Sequence, residues 1–247
     1  MNIILSGACG RMGREVAAAA MREHVSILCG VDKTAETYGS FPVYPDFAQV
    51  QPAADSVVID FSKASALEEV LAFCVSNHLP LVLATTGYTD AQLQAIAEAA
   101  KVIPVFRSAN MSLGIHVLRL LSRQAAKLLP GFDIEIVEKH HNQKADAPSG
   151  TAIMLYDAVA SADNYPVYDR HEVRRKRDPK EIGMSSVRGG TVPGEHEVGF
   201  YGSAETVLLT HTAQSRSIFA EGALKAAAFI ASQKPCREYT MDDMIHL

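Results

Sequence analysis

The sequence predicts an α/β chain, with an N-terminal doubly wound parallel sheet followed by a second, α+β domain built on a mixed sheet. Three observations carry this. Short apolar runs alternate with helical patterns through the first hundred or so residues, the rhythm of a parallel sheet covered by helices on both faces. A glycine-rich turn, Gly7-Ala8-Cys9-Gly10-Arg11-Met12-Gly13, falls where the first apolar run ends and the first helical pattern begins. After Met111 the rhythm changes to a long helix and then strands with few helices between them, which suits an α+β domain with one helix-covered sheet face.

Taken in order, the apolar run Ile3 to Ser6 reads as a strand, Arg11 to Arg22 as a helix, and Val25 to Val31 and Val57 to Phe61 as further strands. Residues Thr34 to Pro52, with Gly39 and Pro42, Pro45 and Pro52, read as a connection holding at most one short strand. A helix over Ala64 to Asn77, a strand over Leu81 to Ala84, a helix over Asp90 to Lys101 and a strand over Val102 to Phe106 continue the alternation. The second domain begins with a helix over Ser112 to Leu129 and a strand over Phe132 to Glu138, then a helix after Ser149 and strands at His196 to Tyr201 and Thr206 to Thr212. The alanine-rich helix Ile218 to Ser232 is expected to return to the first domain. The boundaries drawn from this are 1–110 plus 217–247 for the first domain and 111–216 for the second.

At 247 residues and 48% apolar content the chain has enough material for a real core. A formal charge of −5 exerts no general pull toward nucleic acid or anionic membrane, so small solutes are the expected partners. Cys9, Cys29, Cys74 and Cys236 are widely spaced with no C-x-x-C pair, which reads as reduced thiols in a cytoplasmic protein. No apolar stretch reaches the about 18 residues of a membrane span, and Ile3 begins a strand without a cationic leader.

The turn at Gly7 to Gly13 lets backbone N–H groups approach a phosphate, and a helix start supplies partial positive charge. Its spacing is G-x-x-G-x-x-G, with Ala8 in the place of a glycine. Asp32, closing the second strand 22 residues after Gly10, is near the distance expected for an acid that accepts from an adenosine ribose. Together these predict a Rossmann-type dinucleotide site. Asp32 disfavours a 2′-phosphate and Lys33 offsets it, so both NADH and NADPH are expected as cofactors. Thr85 and Thr86, after Ala84 at another strand end, are candidates to hold a nicotinamide amide, whereas Ser62 or Thr89 can simply cap helices.

A second cluster runs from Glu138 to Ala152. His140 or His141 can donate a proton near neutral pH, and Lys144 can do likewise or fix a carboxylate as a point charge. Neighbours on a strand point to opposite faces, so the two histidines need different roles. Ser149 can cap a helix, and the N–H groups at Ser149, Gly150 and Thr151 can hold an anion. No metal is expected: there is no H-E-x-x-H pattern, and Lys144 repels a cation. The basic run Arg174 to Arg177 reads as a solvated loop, and Arg216 as a residue able to fork onto a bound anion.

The sequence resembles the dihydrodipicolinate reductase family over nearly its whole length. The resemblance rests on Gly-Ala-Cys-Gly-Arg-Met-Gly at 7–13, Thr-Thr-Gly at 85–87, Ala-Asn-Met-Ser at 109–112, the His-His to Gly-Thr-Ala segment at 140–152, and Arg-Gly-Gly with Gly-Glu-His at 188–196. It implies NAD(P)H-dependent reduction of 4-hydroxy-tetrahydrodipicolinate, a cyclic imine dicarboxylate, in diaminopimelate and lysine biosynthesis. His140 is implied as the catalytic proton donor or acceptor and Lys144 as the second donor, with His141, Ser149, Gly150, Thr151 and Arg216 on the substrate. Gly7, Ala8, Cys9, Gly10, Arg11, Met12, Asp32, Lys33, Ala84, Thr85, Thr86, Ser108, Ala109, Asn110 and Met111 are implied on the cofactor. The family is typically homotetrameric through the second-domain sheet, in keeping with a sheet face that needs a cover.

Overall fold

The computed structural model describes residues 1–245, with the side chain of Glu172 left aside; the last two residues of the expected 217–247 segment lie outside the described residues. The chain forms two compact units, Met1–Ser112 with Arg216–Leu247 and Leu113–Ser215. Met111 and Arg216 therefore both belong to the first.

The first unit is a seven-stranded sheet. Its strands are β1 (Asn2–Ser6), β2 (Ser26–Val31), β3 (Val43–Tyr44), β4 (Ser56–Asp60), β5 (Leu81–Leu83), β6 (Val105–Arg107) and β12 (Glu238–Tyr239). They lie in the order β12-β6-β5-β4-β1-β2-β3 with every pairing parallel, the doubly wound arrangement the sequence predicts. Ile3, Ile4, Leu5, Val57, Val58, Ile59, Leu81, Val82 and Leu83 are buried, because a parallel sheet is covered on both faces.

Helices α1 (Arg11–Arg22), α2 (Leu67–Ser76), α3 (Asp90–Ala99) and α6 (Ser217–Ala231), with a short α7 (Met241–Met244), cover the sheet. The expected helix 64–77 is split, a 3₁₀ turn over Ala64–Ala66 preceding α2. β6 starts at Val105 rather than Val102: Lys101 and Val102 complete the turn after α3 by donating to Glu98 and Ala99, and Val102 stays exposed. Helix α6 packs on α1 and on β4, β5 and β6. Gly222 lets α6 lie directly against the segment after β6, since a Cβ there would strike the carbonyl of Met111. Strand β12 has no clear period in so short a segment and was not expected.

The second unit is a five-stranded mixed sheet in the order β11-β10-β7-β9-β8. Its strands are β7 (Asp133–His140), β8 (Tyr165–Tyr168), β9 (Glu181–Arg188), β10 (Glu195–Tyr201) and β11 (Thr206–Thr212). β10 is antiparallel to β7 and β11, whereas β9 is parallel to β7 and β8. Helices α4 (Leu113–Leu128) and α5 (Gly150–Val159) cover one face, onto which Ile136, Ile182, Met184, Val198 and Phe200 pack. Val187, Tyr201 and Leu208 project from the other face and are exposed.

Two differences here matter for function. β7 continues two residues past Glu138 and so contains His140, and β9, which the sequence reading passed over because Gly183, Ser185 and Ser186 blur its alternation, is a full strand. The basic run before β9 is also more than a solvated loop. Arg175 pairs at 2.7 Å with the buried Glu181, Arg170 pairs with the same carboxylate, and Arg177 pairs with Glu135 and Asp133. A buried carboxylate needs such partners, and the strand that buries it was invisible locally.

Candidate active site

In the first unit the turn after β1 is shaped by close approach. Gly7 has φ +75°, and a Cβ there would lie 2.7 Å from the Phe61 carbonyl and 2.8 Å from the Ser62 nitrogen, so only glycine brings the turn onto the end of β4. Ala8, which departs from the stricter glycine spacing, is fully buried and is made room for by Gly30, where a Cβ would come within 2.6 Å of the Ala8 methyl. Gly10 caps α1 without a side-chain bond, which leaves the first-turn N–H groups at Arg11 and Met12 to a ligand or water.

Around this turn the backbone is pinned by side chains. Asp32 accepts from the Cys9 N–H at 3.0 Å and the Thr34 N–H at 3.1 Å, so the carboxylate expected to hold a ribose also holds the turn. Each of its oxygens retains a lone pair for a ribose hydroxyl. Lys33 is exposed beside it. Tyr38, which sequence reasoning missed, donates to the Ala8 carbonyl at 2.5 Å, and Arg14 lies over its ring at 4.4 Å.

Asp60, buried at the end of β4, collects three hydroxyls: Ser6 at 2.7 Å, Ser62 at 2.6 Å and Thr85 at 2.8 Å. Ser62 thus serves a carboxylate and not a helix, whereas Thr89 does cap α3 in a box with Gln92. Thr85 spends its proton on Asp60 and keeps its oxygen as an acceptor for an amide. Ala84 is half-buried and Thr86 exposed. After β6, Ser108 donates to the Asn110 carbonyl at 2.6 Å, Asn110 Oδ1 accepts from the Ser112 N–H at 2.8 Å, and Ala109 is exposed. Met111 is in the core, so its backbone alone remains for a ligand. These features fit a dinucleotide: a cradle that a Cβ would fill, open helix N–H groups, and an acid at the ribose position.

In the second unit β7 places Glu138 and His140 two apart, on the same, helix-covered face. The Glu138 carboxylate receives four bonds: His140 Nδ1 at 2.5 Å, Arg188 Nη1 and Nη2 at 2.8 and 2.7 Å, and the Ser149 N–H at 3.0 Å. Burial alone would raise its pKa; the bonds from Arg188 and His140 outweigh this and hold it at about 2. Burial likewise pulls His140 below the ordinary histidine value, with Lys144 and Arg188 adding to the effect and Glu138 opposing it.

Ser149 caps α5 by accepting from the Ala152 N–H at 3.1 Å, and its hydroxyl meets His196 Nε2 at 3.1 Å. The His196 ring stands edge-on to His140 with centroids 5.1 Å apart, and burial lowers its pKa to about 3. Lys144 is half-buried and pairs with Asp146 at 2.8 Å. Gly150 has open space where a Cβ would be, and His141 and Thr151 are half-buried. His140, His141, Lys144 and the Ser149–Thr151 helix start are thus brought together within one unit. Arg216, half-buried at the N-cap of α6, lies in the other. Sequence reasoning gave no role to Glu138, Arg188 or His196. The i, i+2 relation of Glu138 to His140 was a usable signal; the Arg-Gly-Gly motif marked Arg188 but gave it no partner without β9.

Comparison with known proteins covers both units of the chain. Residues 1–111 match the family model described as dihydrodipicolinate reductase, N-terminus, and residues 114–245 the one for its C-terminus. The chain is 48% identical over 249 residues to the 4-hydroxy-tetrahydrodipicolinate reductase of Caldanaerobacter subterraneus subsp. tengcongensis, covering 99% of this chain and 98% of that one. It is 45% identical over 248 residues to that of Staphylococcus aureus, covering 99% and 100%. Among solved structures, a dipicolinate-bound dihydrodipicolinate reductase from Paenisporosarcina sp. TG-14 superposes with a TM-score of 0.80 at 22% identity, over 100% of this chain and 99% of that one.

Proposed function

Because the chain belongs to the dihydrodipicolinate reductase family, we propose that it reduces 4-hydroxy-tetrahydrodipicolinate to tetrahydrodipicolinate with loss of water, using NADH or NADPH, in diaminopimelate and lysine biosynthesis. The observation that carries the reading is a buried, carboxylate-anchored histidine beside a capped helix start and a lysine, in a chain that also bears a dinucleotide turn.

The first unit is the dinucleotide-binding domain, and the second binds substrate. The cofactor would rest on Gly7 to Met12, Asp32 and Lys33, with Ala84 to Thr86 and Ser108 to Met111 toward the nicotinamide end. When bound, it supplies a hydride. Asp32 disfavours a 2′-phosphate and the exposed Lys33 attracts it, which supports use of both cofactors.

In the second unit the N–H groups of Gly150 and Thr151 hold one substrate carboxylate at the start of α5, where the helix dipole favours an anion. Lys144 and His141 also hold the substrate, and Arg216 contributes a forked donor to an anion. Loss of the hydroxyl together with a hydrogen of the adjacent ring carbon releases water and leaves an unsaturated imine; hydride addition to it builds charge on the ring, so one proton must be delivered for each hydride. His140 delivers it at Nε2, its Nδ1 being taken by Glu138, and Lys144 assists. Protonating the electron-rich ring as charge builds on it lowers the barrier by about 10²–10⁴-fold in rate.

The exposed Val187, Tyr201 and Leu208 on the uncovered sheet face support a homotetramer assembled through that face, which sedimentation would report as four chains. Cys9, Cys29, Cys74 and Cys236 are all unbridged, which supports a cytoplasmic setting; among the described residues no helix is long and apolar enough to cross a membrane.

The test is to supply freshly made dihydrodipicolinate synthase product with NADH or NADPH and follow loss of the reduced nicotinamide. No loss with either cofactor sinks the assignment. His140→Ala should lower turnover by about 10²-fold or more while leaving NADH binding intact; unchanged turnover would remove His140 from its role.

A further inference from the structure

We propose that Glu138 is the positioning residue for His140, fixing which ring nitrogen exchanges protons, and that the same carboxylate ties the acid to the anion cradle at the start of α5. This rests on the reading of His140 as the proton donor. The geometry is over-determined. Glu138 is 1% exposed, and two of its four bonds come from Arg188 as a bidentate fork, so the carboxylate cannot rotate without breaking several contacts. The parallel register of β7 and β9 sets His140 opposite Arg188, which brings the fork to a residue two positions back on the same face.

A carboxylate held ionised by these donors can only accept. The nitrogen facing it, Nδ1, therefore carries a proton in both states of the ring, and Nε2 is left as the nitrogen that gains and loses one. Space is kept for Nε2: a Cβ at Gly194 would lie 3.1 Å from it, so any side chain at that position would press on the reacting edge. The second oxygen pair of bonds links the two functions. Glu138 Oε1 accepts from the Ser149 N–H, and Ser149 is the N-cap whose hydroxyl holds the Ala152 N–H at the first turn of α5. A shift of Glu138 thus moves the imidazole and the helix start together.

The charged and titratable groups facing His140 are Glu138 on its own strand, Arg188 on β9, Lys144 on the following loop and His196 on β10, itself next to His211 on β11. Arg188 and Lys144 disfavour the imidazolium, and Glu138 is the anion that favours it. Glu138→Gln removes this anion at constant size. The imidazolium then loses its proton at lower pH, so the alkaline limb of the kcat profile moves down, by about one pH unit or more. Turnover falls by about 10²-fold or more as the ring samples the wrong tautomer, and the Kd for NADH stays within about twofold. Glu138→Asp, which keeps the charge, should restore the limb toward its original position.

A purely structural role would lower stability and the active fraction without moving the limb. An unmoved limb in folded Glu138→Gln overturns the proposal. If that variant does not fold, the nitrogen-15 histidine spectrum of the unsubstituted protein decides: neutral His140 should carry its proton on Nδ1, and a proton on Nε2 overturns it. Neither result depends on His140→Ala, whose normal turnover would instead remove the donor assignment beneath it.

Discussion

Gly7→Ala sets a side chain against backbone on two counts, its own conformation and its neighbours. At φ +75° an alanine sits in the left-handed region, which costs about 1–2 kcal/mol. The new Cβ also meets the Phe61 carbonyl at 2.7 Å and the Ser62 nitrogen at 2.8 Å, both backbone, so relief requires the end of β4 to move. Such overpacking adds about 1–3 kcal/mol. The Asp60 cluster with Ser6, Ser62 and Thr85 is carried along by any such movement.

Gly131 provides the control: its φ is +82°, yet a Cβ there meets nothing within 4 Å. Gly131→Ala should therefore cost about 1 kcal/mol, or about 2–4 °C in Tm for a chain of this size, against about 3 kcal/mol and about 6–12 °C for Gly7→Ala. Thermal melts give the difference, and fluorescence titration with NADH gives the second readout, in which Gly7→Ala binds about tenfold more weakly and Gly131→Ala is unchanged. Equal melting shifts, with NADH binding retained in both, would refute the close-approach argument.

Two further outcomes follow from buried charge. His196 has its pKa lowered to about 3 by burial, against an ordinary 6.5, so the native state refuses a proton that the unfolded chain accepts. Its contribution to stability is complete above pH 6.5 and is lost as pH falls from there toward 3, amounting to about 2 kcal/mol by pH 5. Urea denaturation of His196→Gln should show a smaller loss between pH 7.5 and 5 than the unsubstituted chain; identical slopes would contradict it. Glu181→Gln puts a neutral amide in the carboxylate's buried place while Arg170 and Arg175, 34% and 48% exposed, stay solvated, and should cost about 1–2 kcal/mol in the same assay, whereas a change below about 0.5 kcal/mol would mean that the pairs carry no net stability.

The local signals in this sequence reached far. Alternation of apolar runs with helical periods specified a doubly wound sheet, because each element must bury one face or both. Gly7, Gly10 and Gly13 marked a tight turn between strand and helix, and Ser149 marked a helix start, since turn and cap chemistry act within a few residues. The segment from His140 to Thr151 carried the proposed proton donor, the lysine and the proposed anion cradle on a dozen consecutive residues, close enough to be read together.

What the tertiary structure decided are the contacts made at long range. Arg188 reaches Glu138 across 50 residues, Thr85 reaches Asp60 across 25, and Tyr38 reaches Ala8 across 30. The substitution of alanine for glycine at position 8 became intelligible only when Gly30 was found beside it. The physical reason is common to all of these. Helix period and capping are determined by neighbours in the chain, whereas which strand lies beside which, and in what register, is settled by the packing of the whole core. The side chains that orient His140 depend on the pairing of β7 with β9, and no short stretch of sequence encodes that pairing.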